Sequence, residues 1–319
     1  MQDRLGREID YMRISITDRC NLRCGYCMPE CGVPSVPHDM ILRFDEIVGL
    51  VKIFCSMGIK NVKITGGEPL VRKGAVGLIK DIKAIDGIEK VSMTTNGILL
   101  SKNLNALAEA GIDSINISLD TLNRQKYLNI TGFDGLNTVL KAIDECRAFP
   151  EMKVKINAVT MVDYNRDEIC NLADFAAGVG ATLRFIEMMP LGLGTGFDGY
   201  SQDEIIAVLE ESYGSAKTIN DKAGSGPAKY YSFEGLEGRI GFISPMSHKF
   251  CGSCNRIRLT SEGLLRPCLG SDVGIDLRKP MREGASDEEL AQIIHDGIVN
   301  KPEGYCFETT DSLMSKIGG

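Results

Sequence analysis

Apolar and polar positions alternate over residues 11 to 17, and from there to about residue 190 amphipathic stretches and β-rich runs take turns. The pattern predicts strands over 11–17, 60–65, 89–94, 112–118, 152–160 and 181–187, and helices over 45–57, 73–86, 101–110, 133–148 and 166–178. Six strands alternating with five helices imply an α/β fold whose strands pair in parallel through right-handed crossovers. An open doubly wound sheet and a barrel both satisfy that order. The barrel gains because polar, chemically suggestive residues recur where strands end: Cys20, Gly66-Gly67-Glu68-Pro69, Thr94-Thr95-Asn96, Ser118 with Asp120, Asn157, and Glu187 with Met189.

The remaining stretches are less regular. Residues 20–40 form a polar loop punctuated by Pro29, Pro34 and Pro37, and the glycine-rich 190–200 reads as a flexible connection or a lid. A helix over 202–212 and a loose 214–227 follow. Short strands over 229–234 and 239–243, turning at Glu237-Gly238, come next, and then a helix near 286–296.

Composition narrows the partners. Across 319 residues, 36 Lys and Arg face 43 Asp and Glu, a net charge of -7, so no basic footprint for nucleic acid exists and an anionic substrate needs a local basic pocket. No apolar run approaches the roughly 18 residues of a membrane span. Eleven cysteines behind a start without an apolar leader segment lead us to expect a reducing, cytoplasmic setting in which metal thiolates persist.

The cysteines fall into two groups. Cys20, Cys24 and Cys27 follow the first strand at C-x3-C-x2-C spacing, one thiolate short of a closed site; a four-iron cubane held this way keeps one iron open. A zinc loop completed by Cys31 is the plainer reading, but Cys31 lies beyond Pro29, and a zinc knuckle does not predict ligand-like residues at several strand ends. The second group is Cys251, Cys254 and, fourteen residues on, Cys268, with Arg256, Arg258 and Arg266 interleaved. A redox pair, or a zinc site completed by His248 or Cys306, competes here with a second open-iron cluster inside an anion pocket. Cys55, Cys146 and Cys170 lie in helical stretches and read as packed thiols.

The CxxxCxxC loop after a strand, with Tyr26 before its last cysteine and Gly66-Gly67-Glu68-Pro69 after the next strand, resembles the radical S-adenosylmethionine superfamily. Within it, the run from Tyr11 to Pro29, Arg184-Phe-Ile-Glu187, Cys251-x2-Cys254-Asn-Arg-Ile-Arg-Leu-Thr with Cys268, and the terminal Gly318-Gly319 are similar to the GTP 3',8-cyclases of molybdenum cofactor biosynthesis. The resemblance implies a partial (β/α)6 TIM-like barrel, here over 1–225, and a C-terminal extension over 226–319 carrying a second iron–sulfur cluster. It implies two [4Fe-4S] clusters, on Cys20, Cys24 and Cys27 and on Cys251, Cys254 and Cys268, and S-adenosyl-L-methionine at the first. GTP is the implied substrate: an adenosyl radical takes the hydrogen at ribose C3', and the C3' radical adds to guanine C8, giving 3',8-cyclo-7,8-dihydroguanosine triphosphate.

For S-adenosylmethionine the resemblance points to Tyr26, Gly67, Ser118 and Met189. Gly66 and Gly67 would permit close approach, and Glu68 would offer the methionyl ammonium an acceptor; Thr95 and Asn157 rank behind these. For GTP it points to Arg13, Lys63, Thr94, Lys155, Arg184, Arg256, Ile257 and Arg258. Lys63 stands where the family usually has arginine, which keeps the charge and loses the planar fork. The tail glycines, Gly318 and Gly319, are expected to reach the active-site mouth. Implied partners are a second copy in a homodimer, an external one-electron reductant, and the cyclic pyranopterin monophosphate synthase that takes the product; nucleic acid and membrane are not among them. The rivals are a peptide-modifying radical enzyme with an auxiliary cluster and a zinc-bound interaction module.

Overall fold

The computed structural model describes residues 1–34, 36–219, 225–271, 273–305 and 314. Strands β1 (Tyr11–Ser15), β2 (Asn61–Thr65), β3 (Lys90–Thr95), β4 (Ser114–Ser118), β5 (Lys153–Val159) and β6 (Thr182–Ile186) pair in parallel in chain order. The connections carry helices α1 (Phe44–Ser56), α2 (Ala75–Lys83), α3 (Leu104–Glu109), α4 (Arg124–Thr131), α5 (Leu136–Glu145), α6 (Val162–Asn165) and α7 (Ile169–Gly178). This is the partial six-stranded barrel that the family resemblance implies, built from the strand order that the alternation predicts.

The chain then extends both edges of that sheet. After α8 (Gln202–Tyr213), β7 (Ala216–Ile219), β8 (Lys229–Phe233) and β9 (Leu236–Ile243) form an antiparallel unit, and β9 lies parallel against β6. On the other side β10 (Arg256–Leu259) lies parallel against β1 and leads to β11 (Leu264–Arg266) and β12 (Ile275–Asp276), followed by α9 (Arg278–Arg282) and α10 (Asp287–Val299). The expected turn at Glu237-Gly238 falls instead at Glu234-Gly235, because Leu236 already pairs with Phe233 and begins β9. The stretch read as loose contains β7, and α4 was not foreseen.

Strand alternation decides what faces what. Met12, Ile14, Val62, Ile64, Val91, Met93, Ile115, Ile117, Ile156, Leu183 and Phe185 are buried in one continuous core with the helices. Their neighbours point the other way, so Arg13, Lys63, Asn116, Lys155 and Arg184 share the inner face. A wall built this way keeps its hydrophobic driving force on the helix side and leaves the lumen free for polar chemistry. Among the described residues no helix is long and apolar enough to cross a membrane.

Candidate active site

The first cysteine loop leaves the C-terminal end of β1 and is interlocked with the turn after β2. Gly67 N–H donates to Thr17 O (2.8 Å) and Glu68 N–H to Arg19 O (2.9 Å). A Cβ on Gly66, whose φ is +150°, would press into the Thr17 carbonyl, and one on Gly67 into the Arg19 carbonyl. The close approach that requires both glycines is therefore to the chain's own cluster loop.

Glu68 is fully buried and its carboxylate is enclosed by its own neighbours. It accepts from Leu70 N–H (3.0 Å), Asn96 N–H (2.7 Å) and the Thr95 hydroxyl (2.9 and 3.0 Å), while burial pushes its pKa up to about 7. The side chain locks the ends of β2 and β3 together and fixes the Gly66-Gly67 backbone. Asn96, carried by the same brace, donates to Asn21 (2.8 Å) and stands 3.6 Å from Cys20 Sγ; Leu22 N–H is 3.4 Å from the same sulfur.

Tyr26 donates to Asp120 (2.8 Å), whose other oxygen accepts from Val159 N–H (2.8 Å), so the loop is tied to the ends of β4 and β5. Burial raises Asp120 to about 6. Ser118, Tyr26, Cys24 and Asn96 line one small cavity beside the loop. The glycine-rich 190–200 closes over the same place: Gly192–Gly196 form a 3-10 turn, and Phe197 meets the Tyr26 ring edge-on at 6.2 Å. Cys31 remains exposed at the surface.

The second trio lies where the two flanks of the sheet meet. Cys251, Cys254 and Cys268 share a cavity of about 110 Å³ with Arg13 from β1, Arg256 and Arg258 from β10, and Ile186, Met189 and Ile243 from the β6–β9 side. Two buried cations that sequence reasoning missed complete it. Arg7 donates to Cys251 O (3.0 Å), Lys301 O (3.1 Å) and Pro302 O (2.7 Å), and Lys301 donates to Arg256 O (2.9 Å) and Pro267 O. Burial alone would raise the Cys254 thiol, yet Arg256 and Lys301 bring it down to about 6; Cys251 is raised by burial and by its two sister thiols. His248, the nitrogen a zinc site would need, pairs with Asp203 (3.0 Å). Cys306, Gly318 and Gly319 lie outside the described residues; Met314 borders this cavity.

Both donor sets fit thiolate-held clusters. Each supplies three thiolates, the soft donors that iron–sulfur clusters take, with Asn96 and Leu22 N–H beside Cys20 and Arg256 and Lys301 acting on Cys254. Cys20 follows the C-terminal end of β1 and Cys254 precedes β10, which runs beside it from Tyr11↔Arg256 to Ile14↔Leu259. The first trio thus follows the C-terminal end of β1, and Cys254 adjoins its N-terminal end.

Residues 14–176 match the radical SAM superfamily and residues 181–307 match Molybdenum Cofactor Synthesis C. A GTP 3',8-cyclase of Clostridium perfringens (strain 13 / Type A) is 46% identical over 327 residues, covering 100% of both chains. The chain belongs to the GTP 3',8-cyclase family. A second cyclase, from Heliobacterium modesticaldum, is 43% identical over 332 residues with 100% of both chains covered. The fold is also that of Streptococcus suis SuiB bound to S-adenosylmethionine, at a TM-score of 0.64 and 16% identity, covering 95% of this chain and 75% of that one. As a radical SAM protein the cyclase uses S-adenosylmethionine and an iron–sulfur cluster.

In this cyclase the lumen between the two trios is a cluster of cations. Arg184 donates to Asn157 (2.7 and 3.0 Å) and Asn116 (2.8 Å), which hold its guanidinium across the inner face. Lys63 is driven well below the usual lysine range by burial and then by repulsion from Arg184, Arg13, Lys155 and Arg256. Thr94 lies on the same face, opposite Asn116. Ile257 does not: it is fully buried in the core, because the residue between two inward arginines on a strand must point outward. Any contact it makes with a ligand is through its backbone.

Proposed function

We infer that this enzyme converts GTP to (8S)-3',8-cyclo-7,8-dihydroguanosine 5'-triphosphate, the first step of molybdenum cofactor biosynthesis. The observation that carries the reading is the buried cation cluster lying between two cysteine trios, in a protein of net charge -7. Cations packed this closely suit a polyanion, and a triphosphate supplies one.

Cys20, Cys24 and Cys27 would hold one [4Fe-4S] cluster, and Cys251, Cys254 and Cys268 a second. S-adenosylmethionine at the first cluster supplies, on one-electron reduction, the radical chemistry that opens the ribose C3'–H bond. Tyr26, Gly66, Gly67, Ser118 and Met189 would hold that cofactor. Arg13, Lys63, Thr94, Lys155, Arg184, Arg256 and Arg258 would hold GTP so that C3' faces the first site and the base faces the second. Positioning is the protein's main contribution, since a fixed geometry replaces collision between free reactants and keeps competing hydrogens out of reach. Phe197 covers the Tyr26 ring from its edge, beside the cluster loop. A homodimer, an external reductant, and delivery to cyclic pyranopterin monophosphate synthase complete the proposal on the strength of the sequence resemblance.

The direct test is anaerobic reconstitution with iron and sulfide, then assay with GTP, S-adenosylmethionine and dithionite. Two clusters per chain and GTP-dependent deoxyadenosine formation are expected; a preparation that takes up only zinc would end the reading.

Two further outcomes follow. Lys155 is held at about 8 by burial and by repulsion from Arg184, Lys153, Lys90 and Arg239. A bound triphosphate raises that value, so binding takes up a proton and the GTP Kd rises above pH 8 by up to about tenfold per pH unit for this group. Calorimetry in buffers of different ionisation enthalpy measures the uptake; a Kd flat from pH 7 to 9 contradicts it. Removal of Gly318 and Gly319 should abolish turnover with the iron content unchanged, and a fully active truncated enzyme would release the tail from any catalytic role.

A further inference from the structure

The cation cluster does not stop at the substrate residues. Below the lumen, a cavity of about 190 Å³ is lined by Lys63, Lys155 and Arg184 and also by Lys90 and Lys153. A neighbouring cavity of about 500 Å³ shares Lys153 and Lys155 and adds Arg147 and Arg239. Lys63, Lys155 and Arg184 are buried, whereas Lys90, Arg147 and Lys153 are exposed and Arg239 is half-buried, so the charge runs outward from the lumen to solvent.

Strand geometry makes this a path. Lys153 and Lys155 are two residues apart on β5 and share one face, with Asn157, the partner of Arg184, a further two residues on. Lys90 begins β3 on the same side of the sheet, paired to Asn61. Among the described residues, the carboxylates lining the two cavities are Asp113 and Glu151. Asp113 is held by Lys83 (2.7 and 2.8 Å) and Val91 N–H (2.7 Å), and Asp144 lies 3.3 Å from Arg147 at the rim. Cations merely decorating a surface would be dispersed among the acidic majority; here they line two cavities joined by Lys153 and Lys155, and Lys90, Lys153 and Arg239 all act on Lys155.

We propose that Lys90, Arg147, Lys153 and Arg239 form a second polyphosphate-binding site at the N-terminal end of the barrel strands, one step outside the substrate site. It would hold the triphosphate of a nucleotide entering base-first or of the product leaving. This deepens the reading of Lys63, Lys155 and Arg184 as the inner phosphate site and rests on it. The shared chemistry is a linear polyphosphate, whether attached to a nucleoside or free.

The test uses the full-length enzyme with both clusters reconstituted, titrated with inorganic tripolyphosphate and assayed with GTP. The wild type should bind tripolyphosphate at two sites, and R147E/R239E at one. The double variant should raise the KM for GTP about tenfold with kcat retained, and flatten its dependence on ionic strength, as loss of electrostatic steering does. R147Q/R239Q, a milder change, should shift both readouts in the same direction. A single tripolyphosphate site in the wild type, or unchanged KM and salt dependence in both variants, overturns the outer site. An effect on GTP without one on tripolyphosphate would assign the path to the nucleotide alone and refute the shared polyphosphate chemistry. Lys155→Met separates the two readings: loss of GTP affinity with tripolyphosphate still bound once upholds the inner site, and unchanged GTP affinity overturns the inner site whatever the outer cations do.

Discussion

Cys24→Ala should reduce GTP turnover to the uncatalysed background, a loss of at least about 10⁶-fold, and should equally abolish cleavage of S-adenosylmethionine by dithionite. Cys254→Ala should also lose cyclisation but keep S-adenosylmethionine cleavage. The contrast follows from where the two thiols sit. Cys24 lies in the loop that Tyr26, Asp120 and Asn96 anchor to the strand ends, beside the cavity containing Ser118. Cys254 lies in a separate cavity, among Arg13, Arg256, Arg258 and Lys301, where the charges suit a nucleotide. Deoxyadenosine and cyclised product, measured separately by chromatography, decide the matter. Equal loss of both reactions in Cys254→Ala would mean that the trios do not divide the work as inferred.

Gly67→Ala should strip iron from the first site and destabilise the fold by about 1–3 kcal/mol, the usual cost of forcing extra atoms into a packed position. The added Cβ would meet the backbone of Asp18 and Arg19, and backbone cannot rotate aside as a side chain can. Since Gly67 and Glu68 hydrogen-bond to Thr17 and Arg19, the displacement passes directly into the segment leading to Cys20. Gly77→Ala is the control. It lies within α2 with nothing inside 4 Å of its Cβ, and should be neutral or stabilise by about 0.4–1 kcal/mol. Iron content, thermal unfolding and activity of the two variants, compared side by side, test the interlock; a Gly67→Ala enzyme with full iron and full rate would show that the two segments can part freely.

The six parallel strands were legible because each carries a two-residue alternation flanked by a helical period, a signal local enough to survive in the chain. The first cysteine loop was legible for the same reason, since its thiols lie within eight residues of one another. Where the local signal is weak the reading fell short. Helix α4, Arg-Gln-Lys-Tyr-Leu-Asn-Ile-Thr, is mostly polar and ends at Gly132 (φ +68°), so it passes for loop. Strand β10, Arg-Ile-Arg-Leu, is too short and too basic to read as a strand by itself; its pairing with β1 is what buries Ile257 in the core.

By itself, then, the sequence determined the barrel's order of elements, the two sets of thiols and the presence of cations enough for a triphosphate. Only the tertiary structure decided that Arg7 and Lys301 hold the second cysteine group, that Glu68 spends its charge on its neighbours, and that the lysines of β5 lead from the lumen to solvent. The physical reason is range: periodicity and motif spacing act over a few residues and are written in the chain. The contact of Arg7 with Cys251, by contrast, spans 244 positions and exists only after β10 has paired with β1.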